Sequence, residues 1–285
     1  MIEAKKSLGQ NFLKDKGILK KIADFAQIEK TDVVVEVGPG EGTLTELLLE
    51  RALKVIAIEK DERMVAFLQE KFKKEIEENK LKIFNEDVLE LPDEFFSIFF
   101  EEKSAQREKN SSGSIAYKLV GNIPYYITGA LFKKALEAEN PPQSITFVVQ
   151  KEVAERVMAR DGKESILSVS IKAYGTPEFG GVIKAGSFNP KPKVDSAILA
   201  IRNISKDRFI SLSEKKFFEI LKTGFAHKRK LLIKNLTEIS NLDISDLKIS
   251  FEKCGISEKA RAEDLKTQDW ICLTKNLLPS SEFWH

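Results

Sequence analysis

The chain has 285 residues, 42% of them hydrophobic and 32% charged, with a formal net charge of +2: a soluble globular balance with room for one large and one small domain. No apolar run approaches membrane-spanning length and residues 1–6 hold no signal-peptide block, so a cytoplasmic protein without membrane contact is expected. Two cysteines, Cys254 and Cys272, and two histidines, His227 and His285, stand in no metal-ligand spacing, so neither a metal site nor a disulfide framework is expected.

Residues 5–17 are polar with apolar anchors Leu8, Phe12 and Leu13, and they lead into a helix with Ile18, Leu19, Ile22, Phe25 and Ala26 on one face. Residues 1–21 hold six lysines against Glu3 and Asp15. Val33-Val34-Val35 is a β-branched run, followed by Glu36-Val37-Gly38-Pro39-Gly40-Glu41-Gly42 and an amphipathic helix with Leu44, Leu47 and Leu48. Strand, glycine-rich turn and helix make a backbone that a nucleotide-like ligand approaches closely. The turn is not the dinucleotide fingerprint, because Thr43 stands where the third glycine belongs. Val55–Ile58 is a second buried strand, and Glu59 at its tip is placed to accept both ribose hydroxyls. Leu81–Phe84 is a third strand with Glu86 and Asp87 just beyond it. Asp87 is a candidate acceptor for an adenine amino group, whereas Glu86 reads as a solvated loop acid. The glycine turn, Glu59 and Asp87 lie at three successive strand tips and form one ligand-sized line for an adenosine-containing cofactor.

Residues 93–117 break the rhythm. They are rich in charge, Ser and Asn without periodicity and read as a flexible surface insertion. Leu119-Val120-Gly121 ends a strand, Asn122-Ile123-Pro124-Tyr125 makes a turn, and a helix follows from Thr128. The Asn122 side-chain carbonyl and the Ile123 carbonyl, extended by Pro124, give two acceptors beside the Tyr125 ring. They suit a planar, amine-bearing base, and an ordinary Asn-x-Pro turn is the alternative. Ser144–Val149 is a further strand, 152–160 a helix, 165–173 a helix packed on the sheet, and Val182-Ile183 with Ser196–Ile201 a closing hairpin. In the loop Phe188-Asn189-Pro190-Lys191-Pro192-Lys193-Val194-Asp195, Phe188 is either a second stacking surface or a core anchor, and Lys191 and Lys193 are candidate phosphate contacts. From Ser205 the chain turns helical and basic, with nine Lys or Arg against three acids over 205–235. Ser211 and Glu214 have capping-box spacing, and His227-Lys228-Arg229-Lys230 form a candidate RNA grip, or a solvated face. Two domains are expected, 1–203 and 204–285.

Lys-Ser-Leu-Gly-Gln-Asn-Phe-Leu at 6–13, Glu36–Gly42, Glu59, Glu86-Asp87, Gly121–Tyr126, Phe188–Ser196, the Phe225–Lys230 cluster and Arg261–Leu265 follow one another over nearly the whole length. In this order they make the chain resemble the ribosomal RNA adenine dimethyltransferases, the KsgA/RsmA family. The resemblance implies an α/β, Rossmann-like, S-adenosylmethionine-dependent methyltransferase with a mostly parallel seven-stranded sheet and a small C-terminal all-α domain. It implies cofactor contacts at Asn11, Leu13, Gly38, Glu59, Asp87 and Asn122, with Gln10 and Gly40 as further candidates, and the already activated sulfonium requires no metal. It implies a substrate of two adjacent adenosines near the 3′ end of small-subunit (16S) rRNA within a pre-assembled subunit, a role in subunit biogenesis, and a monomeric enzyme. Asn122, Ile123, Pro124, Tyr125 and Phe188 are then the catalytic set, with Tyr125 and Phe188 as the two stacking faces. Rival readings are a large-subunit rRNA methyltransferase of the antibiotic-resistance type, a nicotinamide dehydrogenase, a non-catalytic ribosome-assembly factor, and a DNA adenine methyltransferase. The last often has a doubled proline where this chain has Ile123 and Pro124.

Overall fold

The computed structural model describes residues 4–5, 8–92, 95, 116–239 and 243–277. The expected insertion at 93–117 lies outside them except for Phe95, Ala116 and Tyr117, as do Lys6, Ser7 and His285. By contacts the described chain divides into two compact units: residues 1–154 with 177–204, and residues 155–176 with 205–285.

The first unit is built on apolar runs that bury both faces of a strand, the pattern of a parallel sheet. A short strand β1 (Phe12–Leu13) precedes helix α1 (Lys16–Phe25), whose Asp15 cap accepts from the Gly17 and Ile18 amides. Then come β2 (Val33–Val37), α2 (Thr43–Leu49), β3 (Lys54–Glu59), α3 (Glu62–Lys71), α4 (Lys73–Glu77), β4 (Leu81–Asn85), β5 (Tyr117–Asn122), α5 (Thr128–Glu137) and β6 (Ser144–Gln150). Helix α6 (Lys151–Met158) and helix α7 (Ile166–Tyr174) follow, then β7 (Thr176–Ile183), β8 (Phe188–Asn189) and β9 (Ser196–Arg202). Seven strands form one sheet in the order β4-β3-β2-β5-β6-β9-β7. Strands β2 to β6 pair in parallel, and β9 runs antiparallel to β6.

The strand order reverses between β2 and β5, which are neighbours in space although β3 and β4 intervene in sequence. A crevice opens beyond the carboxyl ends of strands at such a switch point. Gly121 permits the approach there: a Cβ on it would lie 2.5 Å from the Val37 carbonyl oxygen. On one face of the sheet Leu19, Ile22 and Ala23 of α1, Leu44 and Leu48 of α2 and Leu68 of α3 pack into a core with Val34, Val55 and Ala57.

The second unit is a helical core. Helices α8 (Glu214–Gly224), α9 (Leu232–Leu236), α10 (Ile244–Lys253) and α11 (Thr267–Leu277) bury Phe217, Leu221, Leu232, Leu247, Phe251 and Trp270. Residues 155–176, expected in the first domain, belong here, because Val169 and Ala173 of α7 pack among these side chains. The capping expectation also shifts. Ser213, not Ser211, caps α8 by accepting from the Lys216 amide, and a reciprocal cap is made by Ser165 and Ser168 at α7. The cysteines are corrected too: Cys254 and Cys272 form a disulfide with Cα atoms 5.8 Å apart. The 18-residue separation hides this from the sequence, and the packing of α10 on α11 produces it. No helix among the described residues is long and apolar enough to cross a membrane.

The neighbour of a Gly121 Cβ is backbone, which has no rotamer with which to yield. Gly121→Ala is therefore expected to destabilise the protein by about 1–3 kcal/mol as an overpacked core site. Calorimetry would show this as a thermal midpoint several degrees lower, and an unchanged midpoint would mean that β2 and β5 part easily.

Candidate active site

A cavity lies beyond the tips of β2, β3, β4 and β5, with residues 8–13 forming part of its wall. Its floor is the glycine turn. Gly38 and Gly40 have φ of 68° and 56°, conformations that side chains other than glycine rarely adopt, and a Cβ on Gly40 would press at 2.9 Å on the Phe12 ring. Glu59 is held from both sides: Oε2 accepts from the Gly40 amide at 3.2 Å and Oε1 from the Asp61 amide at 2.9 Å. Burial raises its carboxyl above the ordinary value while these donors oppose the shift. Next to it, Asp61 accepts from Arg63 Nε and Nη2 at 3.0 and 2.6 Å and from Gln10 Nε2 at 3.1 Å. The Arg63 hydrogen bonds hold the Asp61 carboxyl below its usual range. Gln10 thereby fastens the N-terminal segment beside the tip of β3.

At the tip of β4, Asp87 accepts from Lys60 Nζ at 2.6 Å and from the Leu89 amide at 2.9 Å. Burial pushes this carboxyl up, but the Lys60 bond and the Leu89 amide outweigh it, so its net shift is downward. Glu36, under the turn, is fully enclosed. Burial raises its carboxyl to about 8, against a hydrogen bond from Thr45 Oγ1 at 2.7 Å. Near neutral pH it is mostly the protonated acid.

The turn after β5 completes the site. Asn122 Nδ2 donates to the Asn11 carbonyl at 3.0 Å. A carbonyl only accepts, so this contact assigns the amide nitrogen to Asn11 and leaves Oδ1 as the acceptor on the other side. Pro124 is extended, with φ of −57° and ψ of 133°, and among the described residues none of the loop and cap hydrogen bonds ends on the Ile123 carbonyl. Tyr125 lines the cavity half-buried, its hydroxyl 2.6 Å from Ser196 Oγ. Burial raises the Tyr125 phenol above its ordinary value.

Residues 1–278 match the family described as ribosomal RNA adenine dimethylase. The chain belongs to that family. Its enzymes are ribosomal RNA adenine dimethyltransferases, and this chain is one of them. It is 37% identical over 95% of its length to a protein of Dehalococcoides mccartyi named ribosomal RNA small subunit methyltransferase A, 88% of which is covered. A Clostridium botulinum protein of the same name is 36% identical over 93% of this chain and 90% of its own. Among solved structures, a dimethyladenosine transferase from Plasmodium falciparum aligns at a TM-score of 0.72 and 26% identity, covering 92% of this chain and 95% of that one. The 23S rRNA methyltransferase ErmE aligns at 0.69 and 25%, covering 94% and 99%. The Rossmann-like methyltransferase fold of the family is thus present here.

Of the residues expected to hold the cofactor, Gln10, Asn11, Leu13, Gly38, Gly40, Glu59, Asp87 and Asn122 all line this one cavity. Ile123, Pro124 and Tyr125 line it too. Phe188 does not. Leu13 and Phe188 pair between β1 and β8, and Phe188 is 5% exposed within the core cluster, the placement that the core-anchor alternative describes. Lys191 and Lys193 are exposed on the loop before β9. In the helical unit, His227–Lys230 are exposed in the turn between α8 and α9. His227 and Lys230 both approach Glu238, at 3.2 and 3.7 Å, whereas Lys228 and Arg229 make no ion pair among the described residues. Lys60, Asp61 and Tyr126 are not among the expected site residues: Lys60 and Tyr126 line the cavity, and Asp61 lies beside it as the anchor of Gln10. The first two directly follow Glu59 and were legible from that proximity, and Tyr126 was already part of the Gly121–Tyr126 motif.

Glu36 generates a pH dependence. The folded protein keeps its proton up to about pH 8, whereas the unfolded chain loses it near 4.5. The stability linked to this proton is therefore fully present below pH 4.5 and is lost as pH rises through about 8. Glu36→Gln removes the titration. Thermal midpoints at pH 5 and pH 8 should differ in the wild type by more than in Glu36→Gln, and an equal difference would place the titrating group elsewhere.

Proposed function

We propose that the chain transfers methyl groups from S-adenosylmethionine to N6 of adenosines in small-subunit rRNA. The finer form of this reading is two adjacent adenosines near the 3′ end of 16S rRNA, each methylated twice within a pre-assembled subunit, as a step of subunit biogenesis. The observation that carries the reading is the Asn122 amide on the cavity wall, its nitrogen pinned by the Asn11 carbonyl and its oxygen left as an acceptor.

The residues present fit the cofactor. The glycine floor clears space, and the Glu59 carboxylate at the tip of β3 suits the ribose hydroxyls. Asp87, kept ionised by Lys60, suits the adenine amino group. Gln10, Asn11, Leu13, Gly38, Gly40 and Asn122 supply the remaining walls. When bound, S-adenosylmethionine supplies a methyl group already activated by its sulfonium. The protein then has to orient the nucleophile. The N6 lone pair of adenine is delocalised into the ring, and Asn122 Oδ1 with the Ile123 carbonyl would accept its two hydrogens. This favours a more tetrahedral nitrogen whose lone pair points at the methyl group. The gain is orientation and electrostatics, with no strong base needed. Tyr125 would stack on the extruded base, a contact worth about 1–3 kcal/mol in comparable sites. After one transfer N6 still carries a hydrogen, which permits a second round.

Small subunits are favoured over large ones because the relatives named for the small subunit are 37% and 36% identical over more than nine-tenths of the chain. Lys191, Lys193, His227, Lys228, Arg229 and Lys230 are the exposed cations offered to the RNA backbone.

Radiolabelled methyl transfer to purified small subunits, large subunits, naked rRNA and DNA tests the substrate. Label on small-subunit adenosines is expected, and label confined to large subunits or DNA would overturn the reading. Asn122→Ala should lower turnover at least a hundredfold, as loss of a transition-state hydrogen-bonding group does, while cofactor binding stays measurable by calorimetry. Turnover near wild type would remove Asn122 from the chemistry. Replacing Lys228, Arg229 and Lys230 with alanine should weaken RNA binding and flatten its salt dependence. An unaltered salt slope would make the cluster a solvated face.

A further inference from the structure

With Phe188 packed in the core, the motif from Phe188 to Ser196 offers the RNA only Lys191 and Lys193. Ser196 opens β9, where it pairs with Gln150 of β6 in the antiparallel ladder, and it is fully buried. Its Oγ lies 2.6 Å from the Tyr125 hydroxyl, 71 residues earlier in the chain. The residue before it is fixed independently. The Asp195 carboxylate accepts from the Ala185 amide and from Lys184 Nζ, both at 2.9 Å, and its carbonyl accepts from the Lys151 amide at 3.0 Å. Ser196 is therefore a rigid partner, set by the sheet, for a tyrosine that stands on a turn.

A turn gives Tyr125 freedom about χ1 and χ2 that a ring backing a flipped base has to lose before chemistry. A phenol bonded at its far end to a sheet residue keeps its plane, and the ordering is done before RNA arrives. We propose that Ser196 is a positioning residue for methyl transfer: its hydroxyl holds the phenol of Tyr125 and so sets the plane of the ring against which the target adenine stacks. This rests on Tyr125 being that ring, as the proposed function has it. Ser196 is not part of the cavity wall, so its role runs through Tyr125.

The test is steady-state methylation of small subunits by Ser196→Ala, Tyr125→Phe and the double variant, with cofactor affinity measured by calorimetry. Each single change removes the same hydrogen bond, worth about a tenfold change in rate if fully expressed in orientation. The expected result is that kcat falls about equally in both single variants, that the double variant falls no further, and that KM for RNA and the cofactor Kd stay within about twofold. A wild-type kcat in Tyr125→Phe, or losses that multiply in the double variant, would overturn the proposal. Tyr125→Phe decides alone if Ser196→Ala fails to fold. Tyr125→Ala separates this proposal from the reading beneath it. If removing the whole ring leaves kcat unchanged, the stacking role itself fails. A large loss in Tyr125→Ala with none in Tyr125→Phe rejects Ser196 alone.

Discussion

The hydrogen bond from Asn122 Nδ2 to the Asn11 carbonyl is the contact on which the rest of the site depends. It joins the turn after β5 to the segment that runs along the cavity 111 residues earlier. It also resolves the orientation of the amide, since a backbone carbonyl has no proton to give. The N-terminal segment is in turn fastened at three further points. Gln10 binds Asp61, Thr43 Oγ1 donates to the Leu13 carbonyl at 3.4 Å, and β1 pairs with β8. Each fastening lies on a different element. The direction of the Asn122 acceptor is thus set by the fold of the whole first unit and not by the turn alone.

Electrostatics pose the second constraint. Glu36, Glu59 and Asp87 line the cavity at the tips of β2, β3 and β4, Asp61 follows Glu59 directly, and unshielded carboxylates so placed would repel one another. Each is handled differently. Glu36 keeps its proton, Glu59 is met by backbone amides, Asp61 by Arg63, and Asp87 by Lys60. The result is graded. The acid beneath the glycine turn is near neutral, while the carboxylate at the outer strand tip, Asp87, remains charged and able to accept. A cofactor bearing a positive sulfonium and several hydroxyl and amino donors is suited to such a floor.

Much of this was legible in the sequence, for physical reasons that also explain what was not. β2, β3 and β6 announce themselves as β-branched runs because both faces of a parallel strand are buried. The glycine turn, Glu59, Asp87 and Asn122 are legible because strand tips in this topology all face one crevice. What escaped depends on contacts between distant segments. β1 and β8 have two residues each and so carry no period. Their pairing decides that Phe188 turns inward beside Leu13. The Cys254–Cys272 bond needs the packing of α10 on α11, and the placement of α7 needs the helical core around Trp270. Tyr125 and Ser196 are 71 residues apart, and no local pattern links a turn tyrosine to the first residue of an antiparallel strand.

The cavity and the exposed cations divide recognition between them. Every cavity group with a proposed role addresses something common to all adenosines: the ring face, the N6 hydrogens, or the cofactor itself. Nothing in Asn122, Ile123 or Tyr125 distinguishes one ribosomal subunit from the other, which agrees with the shared fold of the dimethyladenosine transferase and ErmE. Choice of substrate then falls to residues outside the cavity. Lys228 and Arg229 are exposed and carry no ion pair among the described residues, which suits the phosphate contacts proposed for them. His227 and Lys230 approach the same carboxylate, Glu238. Phosphate contacts position without reading sequence. On the proposed function, selectivity among adenosines is then a matter of the folded RNA shape that brings a base within reach of the Tyr125 ring.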